Sequence, residues 1–246
     1  MTKVSCIIPA YNEAPRIGAV LDRVIDHPQI SEVVVIDDGS SDGTAEIAEM
    51  YLDRNDHLRV LRQSRNGGKT RAVASGIAEA RGSHLLLLDS DLLGLTHRDL
   101  GALIAPVAAG HSDVSISLRR NAPRTWRAIG LDYISGERVL PRDMLAARLD
   151  ELHALPRFGL EVFMNRLWIE HAARIAVVAW PGVDSPMKSA KLGNWRKGVA
   201  ADAKMMRDIF RTIAPHHALA QILAMRNLRV LPPAPDMTGG TEHAPR

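Results

Sequence analysis

Two stretches of this chain carry nothing polar, and each runs straight into carboxylates. Val33–Ile36 ends at Asp37-Asp38, and Leu85–Leu88 ends at Asp89-Ser90-Asp91. A strand that is apolar on both faces must be covered on both sides, which favours a parallel sheet between two layers of helices. The flanking segments agree. Val4–Ile8 and Leu58–Leu61 read as further short strands, and Ile17, Val20, Leu21 and Val24 mark one helix face. Asp42–Leu52, capped by Ser41 or Asp42 and with Glu46 in its first turns, predicts a second helix. Thr70–Ala80, stopped at Gly82, predicts a third. The order β-α-β-α-β-α-β predicts an α/β fold: a Rossmann-like, doubly wound, mostly parallel sheet with helices on both faces. Ligands of such sheets sit beyond the carboxyl ends of the strands. Pro9–Glu13, Asp37–Asp42 and Asp89–Asp91 are therefore expected on one edge.

Beyond Gly94 the pattern loosens. Arg98–Ala109, Asp143–Leu152 and Phe158–Ala173 read as helices, and Val114–Leu118 and Ile175–Trp180 as strands. Between them lie a basic stretch, Arg119–Arg127, and a turn, Ser135-Gly136-Glu137-Arg138. Pro181–Lys197 is a loop rich in Gly, Ser and Lys. Val199, Ala203, Met206, Phe210 and Ile213 form one helical stripe. The Pro- and Gly-rich end, 232–246, is expected to be disordered.

Composition narrows the function classes. With 46% hydrophobic and 24% charged residues among 246, the chain is neither collagen-like nor disordered and can bury a sizeable core. The single cysteine, Cys6, excludes an intrachain disulfide and a cysteine-rich metal site, suits a reducing compartment, and is expected as inert packing. Thirty-one basic residues against 28 acidic ones suit an anionic small molecule or a membrane surface, and point away from nucleic acid. No signal-like apolar leader and no run of about 18 apolar residues occurs. The expected place is the cytoplasm, or the inner face of a membrane as a peripheral protein.

The acids carry the chemistry. Two carboxylates crowded behind an apolar strand repel each other, and a cation or ligand hydrogens would offset this; Mg²⁺ and Mn²⁺ bind through one or two carboxylates plus substrate phosphates. A capped turn is the structural alternative for Asp89-Ser-Asp91. Asp37-Asp-Gly-Ser-Ser-Asp42 can accept hydrogen bonds from a base or ribose, and Tyr11 offers a flat face to a base. Asn66-Gly-Gly-Lys69-Thr70 lacks the upstream glycine of a phosphate loop, because Gln63 stands there, yet Gly68 and Lys69 can approach a phosphate closely.

Val4-Ser-Cys-Ile-Ile-Pro-Ala-Tyr-Asn-Glu13, Val34-Val-Ile-Asp-Asp-Gly-Ser-Ser-Asp-Gly-Thr44, Asn66-Gly-Gly-Lys69 and Leu87-Leu-Asp-Ser-Asp91 occur in that order. Together they resemble the family 2 glycosyltransferases of the GT-A fold, over roughly the first 95 residues. The resemblance implies a nucleotide-sugar donor, most commonly UDP-linked, and a divalent cation, Mg²⁺ or Mn²⁺. By position, Pro9, Ala10, Tyr11 and Glu13 would line the nucleoside. Asp38 would face the base, and Gly68 and Lys69 would lie near the nucleotide. Asp89 and Ser90 would approach the ribose and diphosphate, and Asp91 would hold the metal, with Asp89 beside it. It implies a nucleotide-sugar-binding half, 1–95, and an acceptor-binding half of the same domain, 96–231. Ser135–Arg138 followed by Phe158-Gly-Leu-Glu161 is similar to the order in glucosyl-3-phosphoglycerate synthases and in some polyprenyl-phosphate sugar transferases. In the former a later histidine completes the metal site; here Val183-Asp-Ser-Pro-Met-Lys188 offers Asp184. Dolichyl-phosphate mannose synthases often follow the acidic motif with a glutamine; this chain has Leu92-Leu93, which counts against a lipid-phosphate acceptor.

If the acceptor is a hydroxyl and the reaction inverts, a carboxylate must take its proton. Glu161 is the first candidate and Glu137 the second. Ser135, Gly136 and Arg138, with the Arg119–Arg127 stretch, are expected to hold an anionic acceptor. Lys188, Lys191, Arg196 and Lys197 form either a lid or a solvated basic loop. Trp126 and Trp195 are expected to stack on a sugar or meet lipid, Trp168 and Trp180 to lie in the core, and His216-His217 on the surface. The first expectation is a metal-dependent hexosyltransferase acting on a small hydroxyl acceptor, phosphorylated or not. The alternatives are a polyprenyl-phosphate glycosyltransferase and an inactive nucleotide-sugar binder; a homodimer stays open.

Overall fold

The computed structural model describes residues 2–155, 159–185 and 213–230. Expectations for Phe158, Lys188, Lys191, Trp195, Arg196, Lys197, the stripe from Val199 to Phe210 and the tail lie outside these residues. Among the described residues one eight-stranded sheet organises the chain. Its strands are β1 (Val4–Ala10), β2 (Ile30–Asp37), β3 (Leu58–Arg62), β4 (His84–Leu87), β5 (Val114–Arg119), β6 (Arg138–Pro141), β7 (Ile175–Trp180) and β8 (Arg229–Val230). They lie in the order β3-β2-β1-β4-β6-β5-β7-β8, and β6 alone runs antiparallel to its neighbours. The predicted mostly parallel, doubly wound α/β sheet is thus observed. The first 95 residues contribute the neighbouring strands β3, β2, β1 and β4; the rest of the sheet comes from the second part of the chain.

The helices are α1 (Ile17–Val24), α2 (Thr44–Glu49), α3 (Lys69–Glu79), α4 (His97–Ala108), α5 (Arg124–Ile129), α6 (Asp143–Ala146), α7 (Leu149–Ala154), α8 (Gly159–Glu170) and α9 (Pro215–Asn227). The strands alternate as both-face burial demands. Ile7, Val34, Ile36, Leu85 and Leu87 join the core beneath α3 and α8, whereas Cys6, Ile8, Val33, Val35, Leu86 and Leu88 join the core beneath α1 and α4. α3 lies so close to the sheet that a β-carbon on Gly76 would come within 2.6 Å of both Ile7 and Ile36. Thr96 caps α4 in a reciprocal box with Asp99. The predicted helix Asp143–Leu152 is broken in two between Ala146 and Leu149.

A proline has no N–H to give a sheet ladder, yet β1 continues through Pro9 to Ala10. Ile7 offers its carbonyl to Leu88 on the β4 side and Ala10 offers its own to Asp38 on the β2 side. By alternation, the N–H that Pro9 lacks would point towards β4, where that strand has already ended. The chain passes from β1 outwards to β2 and β3, then returns to place β4 on the other side of β1. A crevice is expected at such a reversal. Pro9, Leu87, Leu88 and Asp89 line a cleft there with Lys69, Gly136 and Glu161, too narrow to hold a water.

Candidate active site

The loops leaving β1 and β2 are stitched together by side chains. Asn12 adopts a left-handed conformation, φ 55°. Its amide donates to Ser40 Oγ and its Oδ1 accepts from the Ser41 amide, both at 2.9 Å. The Glu13 amide donates to Thr44 Oγ1 at 2.8 Å, and the Ala14 amide to Asp42 Oδ2 at 3.1 Å. The Tyr11 ring remains open to solvent, while Ala10 is buried. The Glu13 carboxylate is paired with Arg16 at 2.6 Å.

Asp38 does not present a free carboxylate to a base. Its two oxygens accept the amides of Gly67 and Gly68, each at 2.8 Å. It is the hook that draws the loop before α3 onto the β2 edge. Gly39 belongs to the same device: at φ 71° it passes so near the loop that a β-carbon would lie 2.6 Å from the Arg65 backbone. Asp37 is buried, and its Oδ1 has no hydrogen-bond partner.

Across the cleft, the Lys69 ammonium joins the two parts of the chain. It lies 2.7 Å from Asp89 Oδ1 and 3.2 Å from Glu161 Oε1. Burial opposes its charge, but Asp89 and Glu161 hold it above the usual lysine range. Burial likewise opposes the Asp89 charge, and the cations Lys69 and Arg119 outweigh it, holding that carboxyl below the usual carboxylate range. Gly136 fits here because it lacks a side chain: a β-carbon would sit 2.7 Å from both Asp89 Oδ1 and Lys69 Nζ. Ser90 is buried beside them.

Asp91 is different. It is half-buried, and the Ser185 hydroxyl donates to it at 3.3 Å. Burial, with repulsion from Asp89 and Glu13, pushes its carboxyl up to about 6. Among the described residues no ion pair reaches it. Ser185 is itself held by Asn121, whose side-chain amide donates to the Ser185 carbonyl at 2.6 Å. Asp184 does not join Asp91. Arg120 grips its carboxylate, and its backbone exchanges hydrogen bonds with Leu93. The expected set of Asp89, Asp91 and Asp184 is therefore not assembled as a metal cage, and among the described residues no group of three or more ligating side chains stands ready for an ion. Asp91 fits a divalent cation as a single anchor, since a cation would relieve the crowding that raises its carboxyl.

The turn before β6 faces inwards. Glu137 has no exposed surface; Ser117 and Ser135 each donate to its Oε2 at 2.7 Å, and Arg119 lies 3.3 Å from its Oε1. It cannot reach an acceptor, which removes the ground for reading it as a base. Ser135 is buried with it. Arg138 is buried too, donating to the Ser135 and Tyr133 carbonyls and to Asn165, over the Trp168 ring. Burial pushes its guanidinium down to about 10. Of the residues expected to meet the acceptor, Gly136 alone borders the cleft, and Glu161 lies beside it. Trp126, expected at a sugar or lipid, is buried against Tyr133. Trp168 and Trp180 are core and His216 and His217 are exposed, as expected.

Asp132 carries no sequence expectation, and Arg119, expected with its stretch to hold an anionic acceptor, is paired within the fold. Arg119 reaches Asp132 at 3.7 Å as well as Glu137, and burial pushes the Asp132 carboxyl up to about 6. A signal was present: Ser115, Ser117 and Arg119 alternate along β5, so one face of a buried strand is polar.

The family model of glycosyl transferase family 2 matches residues 5–161. The chain belongs to that family. It is 36% identical over 179 residues to a dolichyl-phosphate beta-glucosyltransferase of Dictyostelium discoideum, covering 68% of this chain and 50% of that protein. It is 30% identical over 124 residues to a dodecaprenyl-phosphate galacturonate synthase of Rhizobium johnstonii, covering 48% of this chain and 36% of that one. The chain thus spans half or less of the length of these relatives. In fold it is similar to glucosyl-3-phosphoglycerate synthase from Mycobacterium tuberculosis, crystallised with Mn²⁺, UDP and glucosyl-3-phosphoglycerate, with a TM-score of 0.64 at 20% identity over 86% of this chain and 80% of that one. The GT-A expectation holds. No helix among the described residues is long and apolar enough to cross a membrane.

Proposed function

We propose that the chain transfers a hexose from a nucleotide-diphosphate sugar, UDP-linked, to a phosphate-bearing acceptor, with a divalent cation anchored on Asp91. The observation that carries this reading is Asp91 itself, a half-buried carboxylate with a raised proton affinity at the reversal point of a doubly wound sheet. A fold neighbour crystallised with Mn²⁺ and UDP-glucose supports it. When bound, the ion would supply Lewis-acid stabilisation of charge building on the diphosphate. The chain's own residues do the rest. Tyr11 and the stitched loops at 9–13 and 37–44 would receive the nucleoside. Gly67 and Gly68, pinned by Asp38, start the helix that carries Lys69 to the diphosphate. Glu161, at the start of α8, would take the proton of a hydroxyl acceptor. Residues 1–95 would thus serve the donor and the later residues the acceptor.

A small phosphorylated hydroxyl acceptor suits a base at Glu161. The dolichyl- and dodecaprenyl-phosphate relatives favour a second reading, in which the acceptor is a polyprenyl phosphate and its phosphate oxygen attacks without a base. These relatives weigh against the inference drawn from Leu92-Leu93. The test begins with thermal shifts under UDP-, GDP- and TDP-sugars with Mn²⁺, since a ligand of the folded form raises its apparent stability. Turnover with UDP-glucose follows, offering phosphoglyceric acid in one arm and a short polyprenyl phosphate in the other. Binding without turnover in either arm would leave a nucleotide-sugar binder; no shift with any sugar would refute the donor class.

A further inference from the structure

We propose that Lys69 is a positioning residue shared by the two halves of the cleft, and that an incoming diphosphate takes it from Glu161. The inference rests on the donor reading above. Asp89 follows β4 and Glu161 opens α8, 72 residues later (161 − 89), and one ammonium bridges them. The contacts are unequal: 2.7 Å to Asp89 and 3.2 Å to Glu161, so Glu161 is the looser partner. The Lys69 backbone is anchored at the start of α3 behind the glycines held by Asp38, while its side chain is 41% exposed on a flexible stem. The Gly136 backbone fills the space on one side of the bridge, where not even a β-carbon has room.

The charges leave the bridge unfinished. Asp89 and Glu161 share one lysine, among the described residues no ion pair reaches Asp91, and Arg119, the other cation that acts on the aspartates, is held by Glu137 and Asp132. A diphosphate entering beside Asp89 and Asp91 must draw on the movable cation. Lys69 then leaves its looser partner. Glu161, 5% exposed, loses its ion pair with Lys69 while the donor is in place, and its carboxylate becomes free to act on an acceptor. Before that moment it is engaged by Lys69. The bridge therefore orders the reaction, donor first, and keeps the proton acceptor engaged while the nucleotide site is empty.

Equilibrium binding of UDP with Mn²⁺, followed by titration calorimetry at constant pH, tests this linkage on wild type, Glu161→Gln, Lys69→Met and the double variant, each checked for folding by its thermal melt. Removing the competitor for Lys69 should tighten UDP, about threefold to tenfold for a partly exposed ion pair. Glu161→Asp, which lengthens the contact, should tighten it less and serves if Glu161→Gln does not fold. Lys69→Met should weaken UDP, and in that background Glu161→Gln should change nothing. Unchanged or weaker binding in Glu161→Gln overturns the proposal. So does equal tightening with and without Lys69, which would mean plain repulsion between Glu161 and the nucleotide. A wild type that does not bind UDP at all overturns the donor reading instead, and this inference with it.

Discussion

Glu32 and Asp91 are acids at opposite edges of one sheet, and the fold treats them differently. Glu32, near the start of β2, is buried but fully answered. Ser5 Oγ and the Arg81 amide donate to it at 2.5 Å, Arg59 at 2.7 Å, and the Gly82 amide at 3.2 Å. Burial alone would raise its carboxyl; the Ser5 hydroxyl, the Arg81 amide and Arg59 together hold it below the usual range. Asp91 has one hydroxyl, two acidic neighbours and a carboxyl pushed up to about 6. A carboxylate that serves the fold is satisfied within the fold. One with few partners among the described residues, at the carboxyl ends of the strands, is a candidate for a ligand from outside.

The comparison can be broken in four places. The largest effect is expected at Asp91→Ala, where turnover of UDP-glucose with Mn²⁺ should fall by about a hundredfold or more, with the thermal melt preserved. A variant within tenfold of wild type would remove Asp91 from the chemistry. Next comes Glu32→Gln, which leaves Arg59 and a buried site unbalanced and should cost about 2–4 kcal/mol in urea unfolding at pH 7. Glu32 has a depressed carboxyl in the folded state, so its contribution is complete above the unfolded value and disappears as pH falls through the folded one. The gap between wild type and variant should therefore close in acid, and a gap that persists there would show that packing, not charge, is responsible.

Asp91→Asn should move the other way. A carboxyl raised to about 6 opposes folding once it ionises, a penalty absent below the unfolded value near 4 and complete above 6. In chelator the variant should be about 1–2 kcal/mol more stable than wild type at pH 7.5 and no more stable at pH 4. A destabilised variant at pH 7.5 would mean that Asp91 is answered within the fold after all. The smallest change is Gly136→Ala. Its methyl would meet the Asp89 carboxylate and the end of the flexible Lys69 side chain. The lysine can give way, so stability should drop by about 1 kcal/mol while UDP binding with Mn²⁺ changes severalfold. Unaltered affinity would show that the site does not depend on how closely β6 approaches it.

The first four strands, the covering of both sheet faces and the shared edge of the acidic motifs could be read directly from the chain. They depend on local periodicity and on the order of elements, and both are written in sequence. The family could be read for the same reason, because its motifs are short and contiguous. The allocation of partners could not. Asp38, Asp89 and Asp184 look alike in sequence, yet one holds two glycine amides, one a lysine and one an arginine, while Asp91 has no ion pair among the described residues. Ser135-Gly-Glu-Arg138 reads as a turn that holds an acceptor and folds inwards, because Ser117 of β5 and the side chain of Asn165 take part in its hydrogen bonds from elsewhere in the chain. Which charge meets which depends on contacts between residues tens of positions apart, and the free energy of a buried charge depends on its desolvation and on those contacts. Period and order were determined by the chain; which acid remains available for a ligand was decided only once the sheet had closed around it.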